Sequence, residues 1–191
     1  MFFDEKFESG ISARNVSHFL PPEERKALEE ELNRHGIGLV FFEQRSAQAS
    51  IFKTIVVYLN EHLTELFITG LLAPAAYDAI KTTLLCLTKH IAIFFRKHGK
   101  KEETYPNMRI TIGKAEVIAP IPSNLNEKQF SAYLTILQST LKELSNNVVP
   151  KIKKYECFIV EYNDATTKLS MKTVTKYGME RVAKQRNAKD D

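Results

Sequence analysis

Residues 50–95 read SIFKTIVVYLNEHLTELFITGLLAPAAYDAIKTTLLCLTKHIAIFF, and this stretch decides the class of fold. Phe52, Ile55, Val56, Leu59, Leu63, Leu66 and Phe67 recur at helical spacing and make one apolar stripe that stops at Gly70. Pro74 suits the first turn of another helix, in which Tyr77, Ile80, Leu84, Leu87, Ile91, Phe94 and Phe95 keep one face. The pattern therefore predicts a pair of packed core helices, one from Ser50 to Gly70 and one from Pro74 to about Arg96. The longest uncharged apolar run, Leu66 to Tyr77, is interrupted by Gly70 and Pro74 and falls short of the ~20 residues a spanning helix needs. No membrane segment is expected.

Downstream of this pair, the polar stretch Arg96 to Glu103 reads as a helix stop and a solvated loop. Met108–Ile112 and Ala115–Ile118 then alternate across Gly113-Lys114, which predicts a β-hairpin closed by Pro120 and Pro122. Asn126, with Gln129 three positions on, has the form of a capping box, and Phe130, Tyr133, Leu134, Leu137, Leu141 and Leu144 supply the face of the helix behind it. Asn146-Asn147 and Pro150 end that helix. Tyr155–Tyr162 and Lys168–Val174 flank a polar loop and predict a second hairpin. From Gly178 to Asp191 the chain is rich in Lys and Arg without an apolar face, so a basic, flexible tail is expected over 178–191.

Upstream, Pro21-Pro22-Glu23-Glu24 opens a helix, because proline fits the first turn and acids suit the positive end of the helix dipole. It runs to about Arg34, with Gly36 as its stop. Ile37–Phe42 is a nearly continuous apolar run, the mark of a central strand. Residues 1–19 carry Phe2, Phe3, Phe7, Ile11, Val16 and Phe19 without a clean period and read as an arm that docks on the core or on a second copy. The expected fold is α+β: a single domain over 20–177, with about four helices packed on a mostly antiparallel sheet of about five strands.

Composition bounds the function. The chain has 191 residues, 43% of them hydrophobic and 26% charged, which fits one globular domain with enough length to build a core unaided. Seven Gly, seven Pro and two Cys exclude collagen, low-complexity disorder and a disulfide scaffold. A net charge of +4 is a mild bias, not the excess of a dedicated nucleic-acid binder. Acidic residues directly behind Phe2-Phe3 are unlike a signal peptide, so export is not expected. Cys86 and Cys157 read as small buried thiols of a reducing compartment, which argues for a soluble, cytoplasmic protein.

Catalytic spacings are missing. His18, His35, His62, His90 and His98 fall in no metal-ligand motif; Glu61-His62 with Glu65 lacks the second histidine of HExxH. Neither GxSxG, GxGxxG nor GxxxxGK[ST] occurs, and Cys86, inside Leu84-Leu85-Cys86-Leu87, reads as an inert buried thiol. No cofactor and no metal site are predicted, and the reading leans away from an enzyme. Two surfaces stand out. Phe2, Phe3 and Phe7 are the candidate contacts for a protein partner or homodimer, and Arg96, Lys97, Lys100 and Lys101 are the candidate phosphate contacts. The leading expectation is a non-enzymatic interaction or accessory protein. The alternatives are a weakly nucleic-acid-associated protein, using loop 96–101 with the basic tail, and a nuclease-like, metal-dependent enzyme using the strand carboxylates Glu43, Glu116, Glu156, Glu161 and Asp164.

Overall fold

A computed structural model describes residues 6–16, 19–43, 55–97, 106–122, 124–163, 166 and 168–187. Among them the chain forms β1 (Ser9–Arg14), α1 (Pro22–Arg34), β2 (Ile37–Phe42), β3 (Val56–Leu59), α2 (Glu61–Thr69), α3 (Pro74–Lys97), β4 (Asn107–Ile112), β5 (Ala115–Pro120), α4 (Glu127–Asn147), β6 (Glu156–Asn163), β7 (Lys168–Thr173) and α5 (Val174–Asn187). A 3-10 turn, Val149–Lys151, follows α4. The fold is α+β in one unit, but the described residues hold five helices and one seven-stranded sheet of order β2-β1-β3-β4-β5-β6-β7.

That sheet is mixed, not mostly antiparallel. Chain segments containing helices join β1 to β2, β3 to β4 and β5 to β6, and each of these pairs is parallel. A helical crossover returns the chain to the same end of the sheet, which a tight turn cannot do. The short connections from β4 to β5 and from β6 to β7 give antiparallel hairpins, and β1 and β3 also pair antiparallel.

Register separates the two faces. Leu39, Ile11, Leu59, Ile110, Val117 and Phe158 lie side by side across six strands, and all are buried. This row belongs to one apolar cluster with Leu32 of α1, Leu63 and Phe67 of α2, Leu84, Leu87 and Ile91 of α3, and Phe130, Tyr133 and Leu137 of α4. The next row, Val40, Ser12, Tyr58, Arg109, Ile118, Ile159 and Lys172, points to the opposite face, because side chains alternate along a strand. On that second face α5 packs on β6 and β7, and its Glu180 binds Lys172 of β7.

Four local expectations change. The helix expected from Ser50 is a strand where it is described: Val56–Leu59 is β3, and α2 starts only after Asn60, whose side chain accepts from the Leu63 N–H at 2.9 Å. Val56, Val57 and Leu59 are all buried, so both faces of this short strand are covered and no period-two alternation betrays it. Ser9–Arg14, within the segment read as a docking arm, lies inside the sheet between β2 and β3. Ile37–Phe42 is an edge strand instead of a central one; its apolar run reflects α1 on one side and Phe7 on the other. A Cβ at Gly38 would stand 3.0 Å from the Phe7 ring, so a larger residue here would press on that ring. Residues 174–187, expected to end a strand and start a flexible tail, form α5.

Among the described residues no single helix is long and apolar enough to cross a membrane. Glu61–Thr69 and Pro74–Phe94 reach that length only as a pair, bent by 115° at the break between them. Their inward residues Leu63, Phe67, Ile80, Leu84, Leu87 and Ile91 are buried in the common core, as expected of this pair.

Candidate functional site

Three features outside the core bring chemically distinctive groups together. The first is the outer side of α5. Val174 is 40% exposed, Met179 68% and Val182 50%, and together with Gly178 they line a shallow apolar hollow of about 460 Å³. Positions 174, 178 and 182 are separated by four residues and stack on one helical stripe, with Met179 beside it. The inner side of the same helix is held by polar contacts. Lys172 Nζ lies 2.7 Å from Glu161 and 2.6 Å from Glu180, and these two carboxylates hold its ammonium above the usual lysine range. Apolar residues that ordinarily face a core therefore face outward here, while a lysine bridges helix to sheet.

Gly178 adds to this pattern. A glycine in a helix interior costs about 1 kcal/mol relative to alanine. A Cβ at Gly178 would meet nothing within 4 Å, so packing within the described chain does not require the glycine. In sequence α5 carries Lys176, Arg181, Lys184 and Arg186 against the single acid Glu180, which is engaged with Lys172. The exposed apolar stripe thus sits on a basic helix.

The second feature is a polar cluster on the second sheet face. Glu116 of β5 accepts from Arg109 of β4 at 3.1 Å and from the Tyr155 hydroxyl at 2.8 Å, and the Cys157 thiol lies 3.8 Å from the same carboxylate. Loss of hydration at the hydroxyl and the hydrogen bond to Glu116 push the Tyr155 phenol up to about 12. Desolvation and Glu116 also push the Cys157 thiol up. Arg109 leaves its Nε without a hydrogen-bond partner. A cleft of about 320 Å³ is lined by Asn107, Ile118, Pro120, Ile159 and Glu161 of the sheet and by Tyr177 of α5.

The third feature joins α1 to α3. Cys86 and His90 stand four residues apart on one side of α3, and Glu24 comes from the first turn of α1. His90 Nε2 lies 2.5 Å from Glu24 Oε2, and the Cys86 thiol donates to the same oxygen at 3.7 Å. Ligand atoms of all three residues fall within 4.8 Å of one another. Burial first, and then the Glu24 carboxylate, push the Cys86 thiol up to about 11. A thiol so protonated, and bonded to the carboxylate, is not set up as a nucleophile.

The residues singled out from sequence distribute differently. Lys97 is exposed at the end of α3 and Arg96 precedes it in the same helix, while Lys100 and Lys101 lie outside the described residues. Phe2 and Phe3 also lie outside them; Phe7 is half-buried against Gly38, with Lys6 Nζ 5.4 Å from its ring centre. The strand carboxylates do not converge among the described residues. Glu116 is bound to Arg109 and Glu161 to Lys172, Glu156 is exposed at the start of β6 on the other face, Glu43 follows β2 at the far edge, and Asp164 lies outside the described residues. Sequence reasoning missed the α5 stripe and the Glu24–Cys86–His90 group. The spacing of Cys86 and His90 was a readable signal for the latter; the approach of Glu24, 62 residues from Cys86, was not.

Compared with protein-family models, curated proteins and solved structures, the chain matches none.

Proposed function

We propose that the protein is a non-enzymatic interaction protein that seats α5 in an apolar groove of a protein partner with an acidic rim. The observation that carries this reading is the outward stripe of Val174, Met179 and Val182 on a helix whose own fold holds it by a lysine–carboxylate bridge. An amphipathic helix that presents its apolar side away from its own core is built for helix-in-groove recognition. Gly178 fits this reading, since the absence of a side chain lets a partner approach the helix backbone. The positive excess of α5 favours an acidic rim over a second α5, which would bring like charges together. Residence in the cytoplasm, with Cys86 and Cys157 as free thiols, accords with the same reading.

A photo-reactive amino acid placed at position 179 of the full chain, irradiated in the native host, tests it. The expected product is a covalent adduct with an acidic protein, lost when Val182→Glu is added and absent when the probe replaces Lys142 on α4. Self-adducts alone would assign the stripe to a homodimer, and cross-linking to nucleic acid or lipid alone would also overturn the reading.

A further inference from the structure

We propose that Glu24, Cys86 and His90 form a binding site for a zinc-class divalent cation that clips α1 to α3. This site is independent of the α5 surface. Its donor set comprises one thiol sulfur, one imidazole nitrogen and one carboxylate oxygen, and their convergence within 4.8 Å brings together the three ligand types that zinc uses. Sulfur and imidazole select against magnesium and calcium, which take all-oxygen sites.

The geometry needs little change to accept the ion. Tetrahedral zinc takes ligands at about 2.0–2.3 Å, which sets ligand atoms roughly 3.3–3.8 Å apart. The sulfur-to-oxygen separation of 3.7 Å is already in that range, and the 2.5 Å imidazole–carboxylate contact would open by about 1 Å as the ion replaces the hydrogen bond. Cys86 and His90 reach the ion from one turn of one helix, so no loop has to be ordered. Glu24 is only half-buried, with 42% of its side chain exposed, so the ion has a path from solvent. On binding, the Cys86 thiol releases its proton to solvent and the sulfur lone pair forms the metal–sulfur bond. One thiolate and one carboxylate then neutralise the two positive charges, and a solvent molecule takes the fourth position.

Cobalt(II) added to the purified full chain under reducing conditions is the direct probe, because thiolate-bound cobalt absorbs where the protein does not. The expected result is a thiolate-to-cobalt band that saturates at one equivalent and is discharged by zinc(II). Cys86→Ser should abolish the band, and Cys157→Ser should leave it unchanged. His90→Ala and Glu24→Gln should each weaken binding by at least the roughly 10–100-fold that loss of an outer partner of a metal ligand costs. Far-ultraviolet dichroism of each variant establishes that it is folded, and Glu24→Gln, nearly isosteric and partly exposed, keeps the test open if Cys86→Ser does not fold. No band, or a band that survives Cys86→Ser and disappears in Cys157→Ser, overturns the site.

Discussion

At the scale of single residues, Tyr155 and Gly178 separate the fold's own needs from what its surface offers. The Tyr155 ring is largely exposed, yet its hydroxyl is tied to Glu116, and the phenol moves from 10.0 up to about 12. The folded state therefore keeps the proton longer than the unfolded chain. Its contribution to stability is complete below pH ~10 and fades as pH rises toward 12. Glu116→Gln should return the phenol toward its ordinary value. The difference in phenolate absorbance between the parent chain and Tyr155→Phe isolates this group from the other tyrosines, and a titration unchanged by Glu116→Gln would refute the assignment. Gly178 tests the opposite situation. Gly178→Ala should stabilise the isolated protein by about 1 kcal/mol, since the methyl group meets no neighbour and the helix gains propensity. Urea denaturation measures it, and a loss of stability would show that the backbone there is closely covered.

At the scale of elements, what was legible is what was strongly periodic. The faces of α3 and α4, the capping box at Asn126 and both hairpins follow directly from residue spacing, and Leu87 on α3 and Leu137 on α4 are buried as that spacing requires. β3 was hidden because Ile55, Val56 and Leu59 extend the stripe of α2 backwards at helical intervals, while a strand covered on both faces leaves no alternation to compete. Asn60 marks the true boundary, since it caps α2 and also donates to the Glu8 carbonyl at 2.7 Å. Asn60→Ala should therefore cost about 0.5–2 kcal/mol from the cap, with the lost tie to Glu8 adding to it. Leu59→Ala in β3 and Leu87→Ala in α3 should each cost about 2–5 kcal/mol, because both side chains are buried in one cluster. Denaturation midpoints decide these, and a Leu59→Ala midpoint equal to that of the parent would remove β3 from the core. β1 and α5 were hidden for different reasons. Gly10 and Ser12 dilute the apolar signal of β1, and α5 has its apolar residues on the wrong side for a core helix. Glu24, Cys86 and His90 meet through packing of α1 on α3, which no local spacing announces.

At the scale of the molecule, β1 makes the N-terminal segment part of the sheet: among the described strands, β2 is joined to the others only through it. Removal of residues 1–17 would leave β2 and α1 without their connection to β3. The truncated chain should lose cooperative thermal unfolding, not just some stability; a sharp melt near that of the full chain would contradict the sheet order. The second face of the same sheet leaves the outer side of α5 without a cover among the described residues, and the interaction reading rests on that surface. Thiol labelling of Met179→Cys, counted by mass, compares the surface inside and outside the cell. Native Cys86 and Cys157, both pushed up above the ordinary thiol value, react slowly and leave a low background. With Lys142→Cys as the reference, position 179 should react readily in the purified protein and be protected from a membrane-permeant maleimide in the native host. Equal reactivity in both settings would contradict the account, because the stripe would then be as bare in the cell as it is in the isolated chain.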